Sequence, residues 1–67
     1  MGLMEATTGT VISKATGKRR IIKVRPVGSN FGWVGSVHAG GYQLGETEIY
    51  SYPYAALNQA RELAHTL

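Results

Sequence analysis

The side chains that could do chemistry at a fixed position are few in this sequence. Ser36 and His38 lie two residues apart, so on a β-strand they share a face and lie close together. A nucleophilic pair of this kind also needs an orienting acid and an oxyanion hole, and the sequence shows neither. We interpret the pair as part of a polar strand face, and we expect no catalytic residue and no enzymatic activity.

The sequence has few residues that could bind a metal ion or a nucleotide cofactor. The chain has no cysteine and no aspartate, and His38 and His65 are far apart in sequence. Glu46 and Glu48 could hold a hard cation only loosely, and are better explained as solvated or paired with basic residues. Gly17-Lys18 lacks the earlier glycine and the following Ser or Thr of a phosphate-binding loop. We expect no metal and no cofactor.

Clustered positive charge is the strongest chemical signal. Six of the seven basic residues lie between positions 14 and 25, and no acidic residue lies between positions 6 and 45. Such a cluster attracts the phosphates of nucleic acid or an acidic protein surface. The same residues commonly cover exposed strands, so a purely solubilising role stays open. The candidate binding residues are Lys14, Lys18, Arg19, Arg20, Lys23 and Arg25.

The Phe, Trp and Tyr residues, all at position 31 or later, are the other candidate binding group. We expect Phe31 and Trp33 in the core, but four tyrosines are more than a thin core needs. Tyrosine suits sites with one apolar and one wet edge, including base-stacking surfaces and protein interfaces. Ordinary sheet positions are the alternative. The candidate contact residues are Tyr50, Tyr52 and Tyr54.

One small domain, residues 1–67, is expected to position these side chains. A chain of 67 residues buries only about 60% of its unfolded surface, so its core is thin. Residues 8–27 predict a basic β-hairpin turning at Gly17, and residues 31–50 a second strand pair; residues 1–7 are expected to be flexible. In the second arm of the hairpin, two sets of residues alternate between faces. One set is Arg20, Ile22 and Val24, and the other is Arg19, Ile21, Lys23 and Arg25.

A C-terminal helix over residues 52–66 is the clearest element. Ser51 is expected to cap it, and Pro53 is tolerated in the first turn. An apolar stripe at helical spacing should face the sheet. The stripe consists of Ala56, Leu57, Ala60, Leu63, Ala64 and Leu67. The fold class is therefore α+β, an antiparallel sheet of three or four strands with one helix on one face. The fourth strand, 42–50, changes phase around Gly45-Glu46, which predicts a bulge there or an irregular segment.

This order of residues resembles small sheet-plus-helix domains of bacteria and phages, including HicB-like antitoxin domains. The resemblance rests on Gly32–Val37, the glycine turn after it, Ser51 and the Ala-rich helix ending in Ala60–Ala64. It covers about residues 31–64. Tyr52-Pro53-Tyr54 departs from the acidic helix start usual in those domains, and a separate DNA-binding segment is missing. The resemblance implies the same fold and a non-catalytic role without naming a partner.

Two functions are consistent with these features. The first is a small non-enzymatic binding module that contacts nucleic acid or another acidic surface through the basic hairpin. The second is a protein-interaction module, such as a phage-type inhibitor or an antitoxin-like subunit, that docks on a protein. The chain is expected to form homo-oligomers through an edge strand or its open sheet face. A secretory signal and a membrane span are both missing from the sequence, so the expected location is cytoplasmic.

Overall fold

The computed structural model describes residues 7–28 and 31–67 of the chain. This part folds as four strands followed by one helix, which confirms the α+β prediction and its four-stranded form. The elements are β1 (Thr7–Ile12), β2 (Arg19–Val27), β3 (Gly32–Ala39), β4 (Tyr42–Tyr50) and α1 (Pro53–Ala64). Residues 1–6 of the segment expected to be flexible lie outside the described residues, while Thr7 already belongs to β1.

The four strands pair in chain order, each antiparallel to the next. Ile22 lies opposite Val37 and Val24 lies opposite Gly35, so these residues share one face of the sheet. Helix α1 packs on that face, which we call the covered face. The other face, which we call the open face, has no helix on it among the described residues. The predicted alternation of faces in β2 is confirmed.

The core lies between the covered face and α1 and is built from small and branched residues. Ile22, Val24 and Val37 are fully buried from the sheet side. From the helix side the buried residues are Ala56, Ala60 and Ala64, and Leu57, Leu63 and Leu67 pack around them. The predicted apolar stripe of the helix is therefore confirmed. Burying only small side chains lets the helix backbone approach the sheet closely.

Gly35 sets the distance between helix and sheet. A Cβ atom at this position would lie 2.6 Å from the carbonyl oxygen of Ala56 and 2.8 Å from the Cβ of Ala60. Both distances are shorter than van der Waals contact. The helix therefore sits against the sheet at a position where the sheet has no side chain.

Two predictions about the core and the helix start are wrong. Phe31 is 73% exposed, because it lies in the turn before β3 with its ring against Gly28 instead of between sheet and helix. Trp33 is half-buried as β3 begins. The helix N-cap is Tyr52, not Ser51, and no side chain caps it. Pro53 at the first helical position explains why the start is tolerated, since proline has no N–H group to satisfy.

Strand β4 is irregular where the sequence changes phase. Its pairing with β3 shifts register twice, between the partners of Val34 and Ser36 and between those of Val37 and His38. The hydroxyl of Thr47 accepts a 2.9 Å hydrogen bond from the amide of Gly35, which satisfies the backbone at the first shift. The predicted bulge near Gly45-Glu46 is confirmed.

Among the described residues, no helix is both long enough and apolar enough to cross a bilayer.

Candidate functional site

The open face is the candidate site, because three of the predicted basic residues project onto it from the central strand β2. Strand β2 is central, so its alternate side chains are flanked by β1 on one side and β3 on the other. Lys23 lies opposite Thr8 of β1 and Ser36 of β3, and all three project to the open face. The open-face residues of β2 are Arg19, Ile21, Lys23 and Arg25.

Three exposed cations form a row along β2 on this face. Alternate residues of a strand are about 7 Å apart, so Lys23 and Arg25 are neighbours and Arg19 lies about 14 Å from Lys23. Lys14 and Lys18 are exposed in the hairpin loop, beyond the Arg19 end of the row. The structure thus brings five of the six predicted cations to one face and one loop. The row presents positive charge to a ligand that lies along the strand.

Arg20, the sixth predicted cation, projects to the covered face and is buried. Its guanidinium donates hydrogen bonds of 2.8 Å to the main-chain oxygen of Leu67 and 3.1 Å to that of Arg19. A longer contact of 3.4 Å reaches the hydroxyl of Thr16. Arg20 therefore joins the hairpin to the chain after the helix, and in this conformation its charge does not face the open side of the sheet.

The open face also carries an ion pair. The Arg25 guanidinium donates to the Glu46 carboxylate at 2.9 Å. Arg25 lies opposite Val34, and Glu46 lies opposite Ser36, so the pair crosses over β3. Both side chains are well exposed, and a pair of this kind contributes about 0–1 kcal/mol to stability. Glu46 therefore partly offsets the positive charge of Arg25 but does not fix the Arg25 side chain in one position.

Ser36 and His38 are hydrogen-bonded beside these cations. The Ser36 hydroxyl lies 2.8 Å from His38 Nε2 and is part of a residue only 2% exposed. Burial lowers the pKa of His38, and the positive charges of Lys23 and Arg25 lower it further. The ring is therefore neutral near neutral pH. Sequence reasoning placed Ser36 beside His38 but missed its basic neighbours, which the pairing of β2 with β3 would have revealed.

The three candidate tyrosines, Tyr50, Tyr52 and Tyr54, lie at the other end of the molecule from the hairpin loop. Tyr50 ends β4 opposite Trp33 and is half-buried. Tyr52 and Tyr54 are 58% and 64% exposed, and their rings stack with centroids 5.3 Å apart. The hairpin loop, by contrast, contacts the last helical turn, where the amide of Ala15 donates to the oxygen of His65. The structure therefore separates the tyrosine pair from the loop cations.

Apolar side chains also lie among the polar groups of the open face. Ile12, Ile21 and Ile49 are all exposed. The sequence indicated Ile21, while the positions of Ile12 and Ile49 depend on strand ends and on the shifts in β4. The open face therefore carries exposed apolar side chains as well as cations.

No protein-family model, curated protein or solved structure matches this chain. The resemblance to HicB-like domains stays a prediction, and any inference about function depends on the geometry of the two exposed surfaces described above.

Proposed function

We propose that this chain is a non-enzymatic binding module that contacts nucleic acid in the cytoplasm through the phosphates. The row of Arg19, Lys23 and Arg25 on the open face supports this most directly. Three cations on one central strand, on the face without a helix, can neutralise phosphates at the same time. Lys14 and Lys18 in the hairpin loop extend the positive surface.

Recognition of base sequence is not part of this proposal. The helix carries one cation, Arg61, whose guanidinium donates to the Asn58 side chain at 3.0 Å. A groove-reading helix usually presents several Arg, Lys, Asn or Gln side chains to base edges. The open-face positions of β2 and β3 carry no Phe, Tyr or Trp ring, so extended base stacking there is not expected either. Contacts to phosphate and apolar contacts to sugars are the chemistry that remains.

Salt dependence tests this function. For three to five phosphate contacts on a single strand, the slope of log K against log salt should be about −2 to −3.5. The measurement is fluorescence anisotropy of a labelled oligonucleotide at several salt concentrations. The double variant Arg19→Ala with Arg25→Ala should weaken binding by roughly tenfold or more and flatten the slope by about 1.4, since two contacts are lost.

The matched control is Arg61→Ala, which removes one exposed cation from the helix. It should leave affinity within about twofold, while Arg19→Ala alone weakens binding several-fold. Absence of binding by the parent at low salt contradicts the proposal. Equal affinity of the parent and the double variant contradicts it as well.

A second candidate function is a protein-interaction module, such as a phage-type inhibitor or an antitoxin-like subunit. The stacked, exposed rings of Tyr52 and Tyr54 favour it. Pro53 between them restricts the backbone, so two rigid rings lose little entropy on binding. Aromatic side chains of this kind dominate the energy of many protein interfaces.

Substituting Tyr52→Ala separates an interface role from a packing role. Because the ring is mostly exposed, its loss should lower the free energy of unfolding by no more than about 1 kcal/mol. An interface hot spot would lose about 2 kcal/mol of binding to the partner. The measurements are thermal melting and retention of host proteins on the immobilised chain after nuclease treatment.

Tyr42→Ala is the control, since Tyr42 is an exposed tyrosine on a different part of the surface. A specific protein partner retained by the parent and by Tyr42→Ala, but lost with Tyr52→Ala, supports the interface. If Tyr52→Ala melts far below the parent and still binds per folded molecule, Tyr52 is a packing residue and the interface lies elsewhere.

A further inference from the structure

We infer that Ser36, His38 and Lys23 form a subsite for one phosphate group, and that His38 takes up a proton when that phosphate binds. The inference rests on the proposed function. It adds a defined position on the open face, a residue outside the basic cluster of the sequence, and a regulation of binding by pH.

The backbone places these three side chains together. Ser36 and His38 are alternate residues of β3 and so share the open face. Lys23 lies directly opposite Ser36 in the paired strands, and His38 lies opposite Ile21. The lysine ammonium and the imidazole therefore border the same patch, with the Ser36 hydroxyl between them at the level of the sheet.

The hydrogen bond between Ser36 and His38 determines which ring nitrogen can contact a ligand. His38 Nε2 is 2.8 Å from the Ser36 hydroxyl oxygen, so Nδ1 is the nitrogen left for another partner. In the protonated ring both nitrogens are donors. Nε2–H then keeps its bond by donating to Ser36, and Nδ1–H can donate to a phosphate oxygen. Protonation thus gives the ring a positive charge with Nδ1–H directed to an anion, and it keeps the hydrogen bond between Nε2 and Ser36.

The charges around His38 make its protonation depend on an anion. Lys23 and Arg25 of β2 are near enough for their charges to act on the ring. From β4, Glu46 lies opposite Ser36 and is paired with Arg25 at 2.9 Å. The β4 residue opposite His38 is Gln43, which carries no charge. Burial and the two cations lower the pKa of His38 in the free protein. A bound phosphate supplies the negative charge that offsets both cations, so it raises the pKa of His38.

Linkage gives the sign of the effect on binding. If phosphate binding raises the pKa of His38, protonation of His38 must strengthen phosphate binding by the same factor. Affinity should therefore rise as pH falls through the range in which the bound form takes up its proton. We expect a gain of about fivefold to tenfold between about pH 7.5 and about pH 5.5, together with a salt slope steeper by about 0.7, since one phosphate contact is added.

The test uses oligothymidylate, whose bases do not titrate in this range, and the intact chain. Anisotropy gives affinity against pH for the parent and for the variants His38→Gln and His65→Gln. NMR follows the His38 ring protons against pH, with and without the oligonucleotide. The matched control is His65→Gln, because it removes the other imidazole of the chain.

The expected result has three parts. The pKa of His38 rises when the oligonucleotide is added. His38→Gln shows no gain in affinity as pH falls, whatever its affinity at about pH 7.5, and His65→Gln keeps the gain. The NMR titration of the parent needs no variant, so it decides the matter even if His38→Gln folds poorly.

Three results would overturn the inference, and they distinguish its failure from the failure of the proposed function. Binding that is salt-dependent but insensitive to pH, or a His38 pKa unchanged by oligonucleotide, overturns the subsite and leaves the proposed function in place. Absence of binding by the parent at low salt and at every pH overturns both.

Discussion

Replacing Gly35 with alanine is expected to lower the free energy of unfolding by about 2–3 kcal/mol, as in other overpacked cores. The added methyl group would lie 2.6 Å from the Ala56 carbonyl oxygen and 2.8 Å from the Ala60 Cβ. Neither neighbour can rotate away, because one is backbone and the other is a methyl group. The helix must shift outward and loosen its contacts with the sheet.

Such a loss is large for this chain. Marginal stability of about 0.05–0.15 kcal/mol per residue gives roughly 3–10 kcal/mol for a domain of this size. Urea unfolding followed by circular dichroism measures the change in midpoint. We expect Gly35→Ala to unfold at a much lower urea concentration than the parent.

Gly9→Ala is the control because Gly9 also lies on the covered face but is not under the helix backbone. A Cβ there would lie 3.4 Å and 3.5 Å from atoms of the Ile22 side chain, which is ordinary contact. This variant should be within about 0.5 kcal/mol of the parent or slightly more stable, since alanine has less freedom in the unfolded chain. Equal midpoints for Gly35→Ala and Gly9→Ala would show that the helix does not rest on Gly35.

Local sequence patterns were sufficient to predict most of the fold. The hairpin follows from alternation in β2 with a glycine in the turn, and Gly17 does adopt a positive φ of 74°. The helix stripe follows from spacing alone. Phe31 shows where this reasoning stops. A phenylalanine is usually expected in the core. Its burial depends on whether its position faces the helix, and Phe31 lies in the turn before β3, which does not face the helix.

The candidate site was less predictable, because it depends on contacts between distant segments. Alternation separated Arg20 from Arg19, but the partner of Arg20 is the oxygen of Leu67, 47 residues away. The neighbours of His38 depend on the register between β2 and β3. Residue types therefore predicted the chemistry of the surface. Only the fold shows which cations project to the open face and which pack against other parts of the chain.

Replacing Arg20 should therefore lower stability and leave binding nearly unchanged, while replacing Arg19 should weaken binding and leave stability nearly unchanged. Arg20→Ala removes two good hydrogen bonds from a buried, charged donor, to the main-chain oxygens of Leu67 and Arg19. We expect it to lower the free energy of unfolding by about 1.5–3 kcal/mol, the usual range for hydrogen bonds to charged groups. Binding of oligonucleotide per folded molecule should stay within about twofold of the parent, because the lost charge does not face the open side.

Arg19→Ala should do the opposite, since Arg19 is exposed at the start of the cation row. Its free energy of unfolding should change by less than about 0.5 kcal/mol, as for most surface substitutions. Oligonucleotide affinity should fall several-fold, with a salt slope flatter by about 0.7, the value of one contact to a single strand. Urea unfolding and anisotropy at two salt concentrations, applied to both variants, give the four numbers. If Arg20→Ala unfolds at the parent's midpoint and loses as much affinity as Arg19→Ala, the two arginines share one role, and the division of this hairpin into a packing face and a binding face is wrong.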